Sequence, residues 1–542
     1  MSLFFRMVAL LALPALLSGG AAPVFQAQEA TPPGAPVGPP PSQISLSDAI
    51  RMGMENNLDV KVASVTPRIR EQNILLREAA FDPNVRIFAE KRDDTFPTAL
   101  RTVSGGTAAA SISGSEEVIF PFARKQENYT ISFQDPLRWG GSYQAQLDMT
   151  REITSSADAF LPLQYQTALF LAYNQSLLRN LGKSVNETQI VLAQNNNEMS
   201  RSEYRSQVFV SLQDIEDAYW ELVFARQDLQ VKEESLRLAQ ELLKLNRIKV
   251  EVGTLPPIEI TTAEAEVASR DQGVIVAENT VRDAEDTLRR ALNMPKGGDA
   301  WLRPIEPTDE PSFLERPVDL QQDLEVALAN RPDLVQARLE VDNANTRLAF
   351  DKNQLKWDLG FRGTYLLSGL AGDNPSFFDP NTGTFFVVPL NEDFIDSYDS
   401  LAGGDFDSWS VSLNLNIPIG NNAAQANYTA SRLALEQAEV SYERARLGAE
   451  VEVRIAARAI LTNRKRIEAA EKNVELQRKK VEAEQKKFEN GMSTSFQVLE
   501  FQEDLTTALG QKNRALVDYR KSITALEQAK GTLDDYLNVT VQ

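Results

Sequence analysis

The sequence predicts a mainly helical protein with a smaller β-strand part, in which one structural unit occurs twice in tandem. Long heptad patterns without proline indicate two helices of about 70 residues each. Segments in which apolar and polar residues alternate strictly indicate strands. Corresponding features in the two halves of the chain indicate the tandem repeat.

The helical prediction depends on apolar residues that recur every seven positions in both halves. The first series is Val208, Ile215, Leu222, Leu229, Leu236, Leu243 and Val250. The second series is Val453, Ile460, Ile467, Val474, Val481 and Phe488. The shift that carries Gly253 onto Gly491 also superposes six members of these series without a gap. Chance does not explain that match, and charged residues between the apolar ones are typical of a coiled-coil surface.

Each long helix, about 100 Å at 1.5 Å per residue, is expected to end at a glycine and reverse direction. A left-handed glycine followed by Ser, Thr or Pro is typical of a helix end next to a helix start. The predicted tips are Val252, Gly253 and Thr254 in the first half, and Asn490, Gly491, Met492 and Ser493 in the second. Return helices are expected at about 258–292 and 496–537.

Four segments predict strands, namely 85–89, 169–174, 359–367 and 409–419. The last has the length of a tilted transmembrane strand, about 9–11 residues. An extra alternating hairpin at 127–150 turns at Trp139, Gly140 and Gly141, and whether it joins the other strands is left open. The alternative interpretation is a soluble sheet with one face exposed to water. The occurrence of these strands in a tandem repeat makes this alternative weaker.

Composition and the N-terminal residues limit the class of protein. The 542 residues include no Cys and no His, which excludes disulfides, thiolate nucleophiles and imidazole ligands. The apolar stretch 7–17 is typical of a secretory signal, since a membrane-spanning helix needs roughly 20 residues. No other segment approaches 18 apolar residues, so entry into a membrane would require strands closed into a barrel. The net charge of -20 argues against nucleic acid as a partner.

These observations divide the chain into five parts. We predict a signal peptide at 1–30 with cleavage after Ala21, Ala27 or Ala30, and a Pro-rich linker at 31–43. The first repeat is 44–294, the linker between repeats is 295–320, and the second repeat is 321–542.

The order of these elements resembles that of the TolC-like outer-membrane efflux proteins. The most specific motifs are ALANRPDL at 327–334, NIPIG at 416–420 and the two glycine tips. The resemblance implies a homotrimer in the Gram-negative outer membrane. Four strands per protomer would close a transmembrane β-barrel in its lipid, and the helical hairpins would continue it through the periplasm as an α-barrel.

The resemblance also implies the function: a passive exit duct that docks on a periplasmic adaptor and an inner-membrane RND or ABC pump. It implies no enzyme activity, cofactor or metal site. In related channels, acidic residues six and nine positions beyond the second tip glycine surround the periplasmic aperture. Here those positions are Gln497 and Glu500, so three copies would give one acidic ring. The alternative is that Glu500 is only a solvated helix charge.

Two other functions were weighed. An envelope-spanning structural coiled coil without a pore would explain the heptads but not the strand at 409–419. A carboxylate-dependent hydrolase would need paired acids in a cleft, whereas the acids here are scattered along helix faces. The transported substrate is not encoded in these patterns.

Overall fold

A computed structural model describes most of the chain: residues 43–99, 119–155, 161–294, 301, 303–373, 376–379, 381–382, 384–388, 390 and 392–540. The predicted signal peptide, and all but residue 43 of the first linker, lie outside these ranges. So does part of the predicted linker between the repeats, 295–300 and 302.

The described residues form the following helices and strands. The helices are α1 (Leu46–Asn56), α2 (Leu58–Glu78), α3 (Lys183–Asn186), α4 (Thr188–Glu251), α5 (Ile258–Ala291), α6 (Leu320–Asn330), α7 (Pro332–Gln354), α8 (Phe394–Gly403), α9 (Asn422–Glu489), α10 (Ser495–Lys530) and α11 (Leu533–Tyr536). The strands are β1 (Gln43–Ile44), β2 (Asn84–Ala99), β3 (Ile119–Leu137), β4 (Gly141–Thr154), β5 (Leu163–Ser176), β6 (Glu306–Pro307), β7 (Asp358–Asp373), β8 (Ser376–Asp379), β9 (Thr384–Val387) and β10 (Asp407–Asn416).

The two long helices and their return helices are confirmed. Helices α4 and α9 have 64 and 68 residues, and the return helices α5 and α10 have 34 and 36. Local signals set several helix ends. Pro332 occupies the first turn of α7, where its missing N–H needs no partner, and Gly531 ends α10 with a φ of 72°.

The main sheet has six antiparallel strands in the order β10-β7-β5-β4-β3-β2. All four predicted strand segments belong to this sheet, as β2, β5, β7 and β10. The extra hairpin forms β3 and β4 and lies between β2 and β5, so the sheet has six strands and not the four that the resemblance implies. The predicted strand 409–419 also ends early, at Asn416. Pro418 has no N–H to donate to a ladder, which favours an end at this point.

The pairing register gives this sheet two different faces. One row across all six strands is apolar: Val85, Phe133, Ala145, Leu171, Tyr365 and Trp409. The next row, on the opposite face, is mostly polar: Asn84, Gln134, Gln144, Ala172, Thr364 and Ser410. Because side chains alternate between faces along a strand, one side of the sheet carries an apolar band and the other side is mainly polar. The ion-paired Lys91, Glu127 and Arg151 lie on the same side as the band, farther along β2, β3 and β4.

The described residues form two compact units. Unit 1 takes its residues from Met1–Lys61, Val208–Asp323 and Val453–Gln542, and unit 2 from Val62–Gln207 and Leu324–Glu452. The six-stranded sheet belongs to unit 2. Both predicted tips belong to unit 1.

The core of unit 1 contains the second heptad series. All six members, from Val453 to Phe488, are at most 9% exposed. The second heptad series is therefore covered within the chain itself. Phe488, for example, packs against Val498 and Leu499 of α10, so the return helix itself supplies cover.

No helix in the described ranges combines the length and the apolar character needed to cross a membrane.

The core of unit 1 also buries a carboxyl group. Glu216 is 4% exposed, and its Oε1 accepts a hydrogen bond of 3.2 Å from the indole N–H of Trp220. Burial raises the pKa of Glu216 above the ordinary value of 4.5. The fold thus favours the protonated acid, and the contribution of Glu216 to stability falls as the pH rises above about 4.5.

We expect Glu216→Gln, which mimics the neutral acid, to raise the thermal unfolding temperature at pH 7 to 8. The gain should shrink as the pH falls towards and below 4.5, because the wild-type carboxyl then becomes neutral in the unfolded state as well as in the folded state. Melting curves across this pH range test the expectation. Glu203→Gln, at an exposed position on the same helix, is the control. A gain in unfolding temperature for Glu216→Gln that does not depend on pH would contradict the expectation.

Candidate functional site: the tips of the helical hairpins

The two predicted tip glycines have the same conformation. Gly253 has a φ of 77° and Gly491 a φ of 74°. A Cβ built on either glycine meets nothing within 4 Å, so the backbone angle, and not lack of space, favours glycine here. Each glycine N–H donates to the carbonyl oxygen three residues earlier, at 2.9 Å to Val250 and 3.1 Å to Phe488.

The residues after each glycine close the turn. The Thr254 hydroxyl donates to the carbonyl of Lys249 at 2.8 Å. In the second tip, the Thr494 hydroxyl accepts from the Gln497 N–H at 3.3 Å and caps α10. The Ser493 hydroxyl also donates to Glu484. With the ammonium of Lys487, this hydrogen bond lowers the pKa of Glu484.

Side chains join the two tips within unit 1. The Lys249 ammonium lies 3.9 Å from the ring centroid of Phe488 and donates to the Phe488 carbonyl at 3.2 Å. Ser495 donates a hydrogen bond to Glu259, which links the starts of the two return helices. An apolar cluster lies beside these contacts, formed by Ala239, Leu242, Phe488, Val498 and Leu499. The structure thus brings both predicted tips together.

Arg270 makes a further connection between the helices, which the sequence analysis did not predict. Its side chain is 4% exposed, although it carries a charge. The guanidinium donates from α5 to the Leu499 carbonyl at 2.9 Å and to the Ser235 carbonyl at 3.0 Å, and it pairs with Glu266 at 2.8 Å. A buried charge is tolerated when its donors are satisfied in this way. The available signal was an arginine in the apolar series Val267, Arg270, Val274, Ala277 and Val281.

The two aperture candidates are exposed side chains of α10 that do not belong to the apolar cluster. Gln497 accepts a hydrogen bond from Ser493 at 3.0 Å. Glu500 lines a groove of about 650 Å³ between α5 and α10, with Thr261, Glu266 and Glu503 nearby. Within the described ranges, Glu500 has no ion-pair partner. The groove is acidic, and its charges are available to solvent.

Most of the chain matches the model of one protein family. The family model described as "Outer membrane efflux protein" matches residues 178–294 and 324–532, more than half of the chain. The chain belongs to this family. Membership confirms the predicted resemblance and the outer-membrane location, and the family is one of channel proteins and not of enzymes.

Solved structures share the fold at low sequence identity. The CmeC outer membrane channel of Campylobacter jejuni is 15% identical, with a TM-score of 0.58 over 90% of this chain and 86% of that chain. The open-state MtrE channel of Neisseria gonorrhoeae is 16% identical, with a TM-score of 0.58 over 90% and 89%. VceC of Vibrio cholerae is 13% identical, with a TM-score of 0.58 over 90% and 96%. No curated protein has a matching sequence.

The tip geometry predicts opposite effects for one substitution at two glycines. Gly491→Ala should open the second tip locally, by about 1 kcal/mol, because Ala is strained at a positive φ. Gly273→Ala, inside helix α5 with open space around it, should instead stabilise its helix by about 0.5–1 kcal/mol. Amide hydrogen exchange measures both. Equal protection at residues 486–494 in wild type and Gly491→Ala would refute the expectation.

Proposed function

We propose that the protein is the exit duct of a tripartite efflux or type I secretion system, a passive channel from periplasm to exterior. The observation that carries this proposal is the six-stranded sheet, with its apolar face, its mainly polar face and its two unpaired edge strands. When copies close such a sheet into a barrel, the apolar face contacts lipid and the polar face lines a water-filled lumen.

Exposed apolar stripes on two helices of unit 2 support assembly into a homotrimer. On α2 the stripe consists of Val62, Val65, Ile69 and Leu76. On α9 it consists of Leu433, Val440 and Leu447, spaced by seven residues. Apolar surface left in water costs about 25 cal/mol per Å², so neighbouring copies that cover these stripes would stabilise the assembly.

The tips support docking on a periplasmic adaptor and, through it, an inner-membrane RND or ABC pump. Val252 and Ile258 are exposed at the first tip, and Met492 and Phe496 at the second, each by more than 60%. Clustered exposed apolar side chains are typical of a protein–protein contact. A structural coiled coil without a pore would leave the apolar face of the sheet unexplained.

The first experiment addresses assembly. We expect the mature chain to migrate as a heat-modifiable, detergent-resistant trimer and to conduct ions in planar lipid bilayers. Val440→Lys should weaken the trimer, because it places a charge in the apolar stripe of α9. Ser441→Lys, on an adjoining side of the same helix, is the control. A monodisperse, water-soluble monomer that does not conduct ions in lipid bilayers would contradict the proposal.

Glu500 is the proposed cation-sensing group of the aperture. Threefold symmetry would bring three of these carboxylates towards one axis, where a narrow lumen screens their charge weakly. The aperture would then favour the passage of cations over anions. Multivalent cations would stabilise the constricted state by reducing the repulsion between the carboxylates.

We expect Glu500→Gln to weaken both cation preference and block by multivalent cations from the periplasmic side. Glu475→Gln is the control, because Glu475 is held between Lys472 and Lys479 at 2.6 Å each, and these hydrogen bonds lower its pKa to about 2. Bilayer recordings of both variants decide the matter. Equal block in wild type and Glu500→Gln would mean that Glu500 is a solvated helix charge.

A further inference from the structure

The extra hairpin of β3 and β4 is an integral part of the six-stranded sheet. Strand β2 pairs with β3 over sixteen residue pairs, from Asn84 opposite Gln134 to Ala99 opposite Ile119. In the described sheet, strand β5 pairs only with β4 and β7, so β3 and β4 alone join β2 to the other strands. Removing the hairpin from the sheet would leave β2 without a neighbour among the described strands.

We propose that this hairpin belongs to the channel wall, and that β10 of one copy pairs antiparallel with β2 of a second copy. Each protomer then contributes six strands, and three protomers close a barrel of eighteen. This inference rests on the trimeric channel proposed above and adds which edges meet and how many strands the wall contains.

Strand direction and face both allow this pairing. Six successive antiparallel strands leave β2 and β10 running in opposite directions, so copies can join edge to edge as another antiparallel pair. On β2 the apolar face carries Val85 and Ile87, and on β10 it carries Val411 and Leu413. Both sets are odd-numbered, so matching the faces allows only registers in which odd residues oppose odd residues.

The stagger of the sheet selects among those registers. The row that starts at Asn84 reaches β10 at Ser410, whereas β10 continues for six more residues to Asn416 at the helix-side end. At about 3.3 Å per residue and about 4.8 Å for each of the strand spacings between β2 and β10, this stagger corresponds to a strand tilt of about 40°, which is typical of barrels. Threefold symmetry then places Asn84 of the next copy beside Asn416. Ile87 faces Leu413 in that register.

The helices next to these two edge strands support the same partner. Helix α2 leads into β2 and helix α9 follows β10, and these are the helices whose apolar stripes are exposed. Contact between β10 and β2 of two copies therefore continues naturally into contact between α9 and α2. Apolar surface meets apolar surface along both parts, which makes a second copy of this chain the fitting occupant.

Engineered disulfides test the edge pairing, since the natural chain contains no cysteine. Ile87→Cys with Leu413→Cys should give covalent dimers and trimers, and a reductant should separate them into single chains. Val85→Cys with Leu415→Cys is a second pair in the same register, in case the first pair disturbs assembly. Ile87→Cys with Ser412→Cys is the control and should not cross-link, because the two side chains lie on opposite faces.

A second set of disulfides tests the strand count. Ile87→Cys with Ile131→Cys should close within one chain, because these residues oppose each other on β2 and β3. Ile87→Cys with Leu169→Cys should not, because two strands separate the residues. A disulfide in the latter pair would place β2 beside β5 and overturn the six-strand wall.

The outcomes separate this inference from the proposed function. Heat-modifiable, conducting trimers that form neither intersubunit disulfide would overturn the pairing of β10 with β2 and leave the channel proposal standing. Wild-type protein that forms no trimer and does not conduct would overturn the channel proposal itself.

Discussion

The outer edges of β2 and β10 impose the constraint on which the rest of the structure depends. Each edge carries backbone N–H and C=O groups that the described sheet leaves unpaired. One face of this sheet is apolar, and lipid that covers such a face offers no hydrogen bonds to an open edge. A single chain therefore cannot satisfy both requirements. In the trimer proposed above, closure with further copies would satisfy both, and the assembly would be the stable unit.

The even number of strands connects the sheet to the helices. Strand β2 begins, and strand β10 ends, at the side of the sheet from which α2 and α9 extend. A hairpin adds two strands, so β3 and β4 enlarge the sheet without changing the side at which the chain leaves. Insertion of one strand would reverse that side and reverse every element after it. This parity explains how the first half accommodates extra residues while its long helix and tip stay matched to the second half.

At the tips, buried polar contacts beside an apolar cluster connect the two helical hairpins of the chain. Arg270 reaches from α5 to the Leu499 carbonyl of α10, and Lys249 reaches the Phe488 carbonyl at the end of α9. Separating α5 from α10 would break the hydrogen bond from the Arg270 guanidinium to the Leu499 carbonyl and expose the apolar cluster beside it to water. These contacts therefore hold the two hairpins of one chain together. Glu500 is exposed in the groove and takes no part in them.

The sequence by itself determined the long helices, the glycine tips and the individual strands, because periodicity and a positive φ are local properties. Val453 to Phe488 and the turns at Gly253 and Gly491 are examples. Only the tertiary structure decided that β3 and β4 separate β2 from β5, that α10 covers Phe488, and that Arg270 has acceptors on α10. These outcomes depend on contacts between residues far apart in the chain, such as Arg270 and Leu499. A one-dimensional pattern does not specify which distant partners meet.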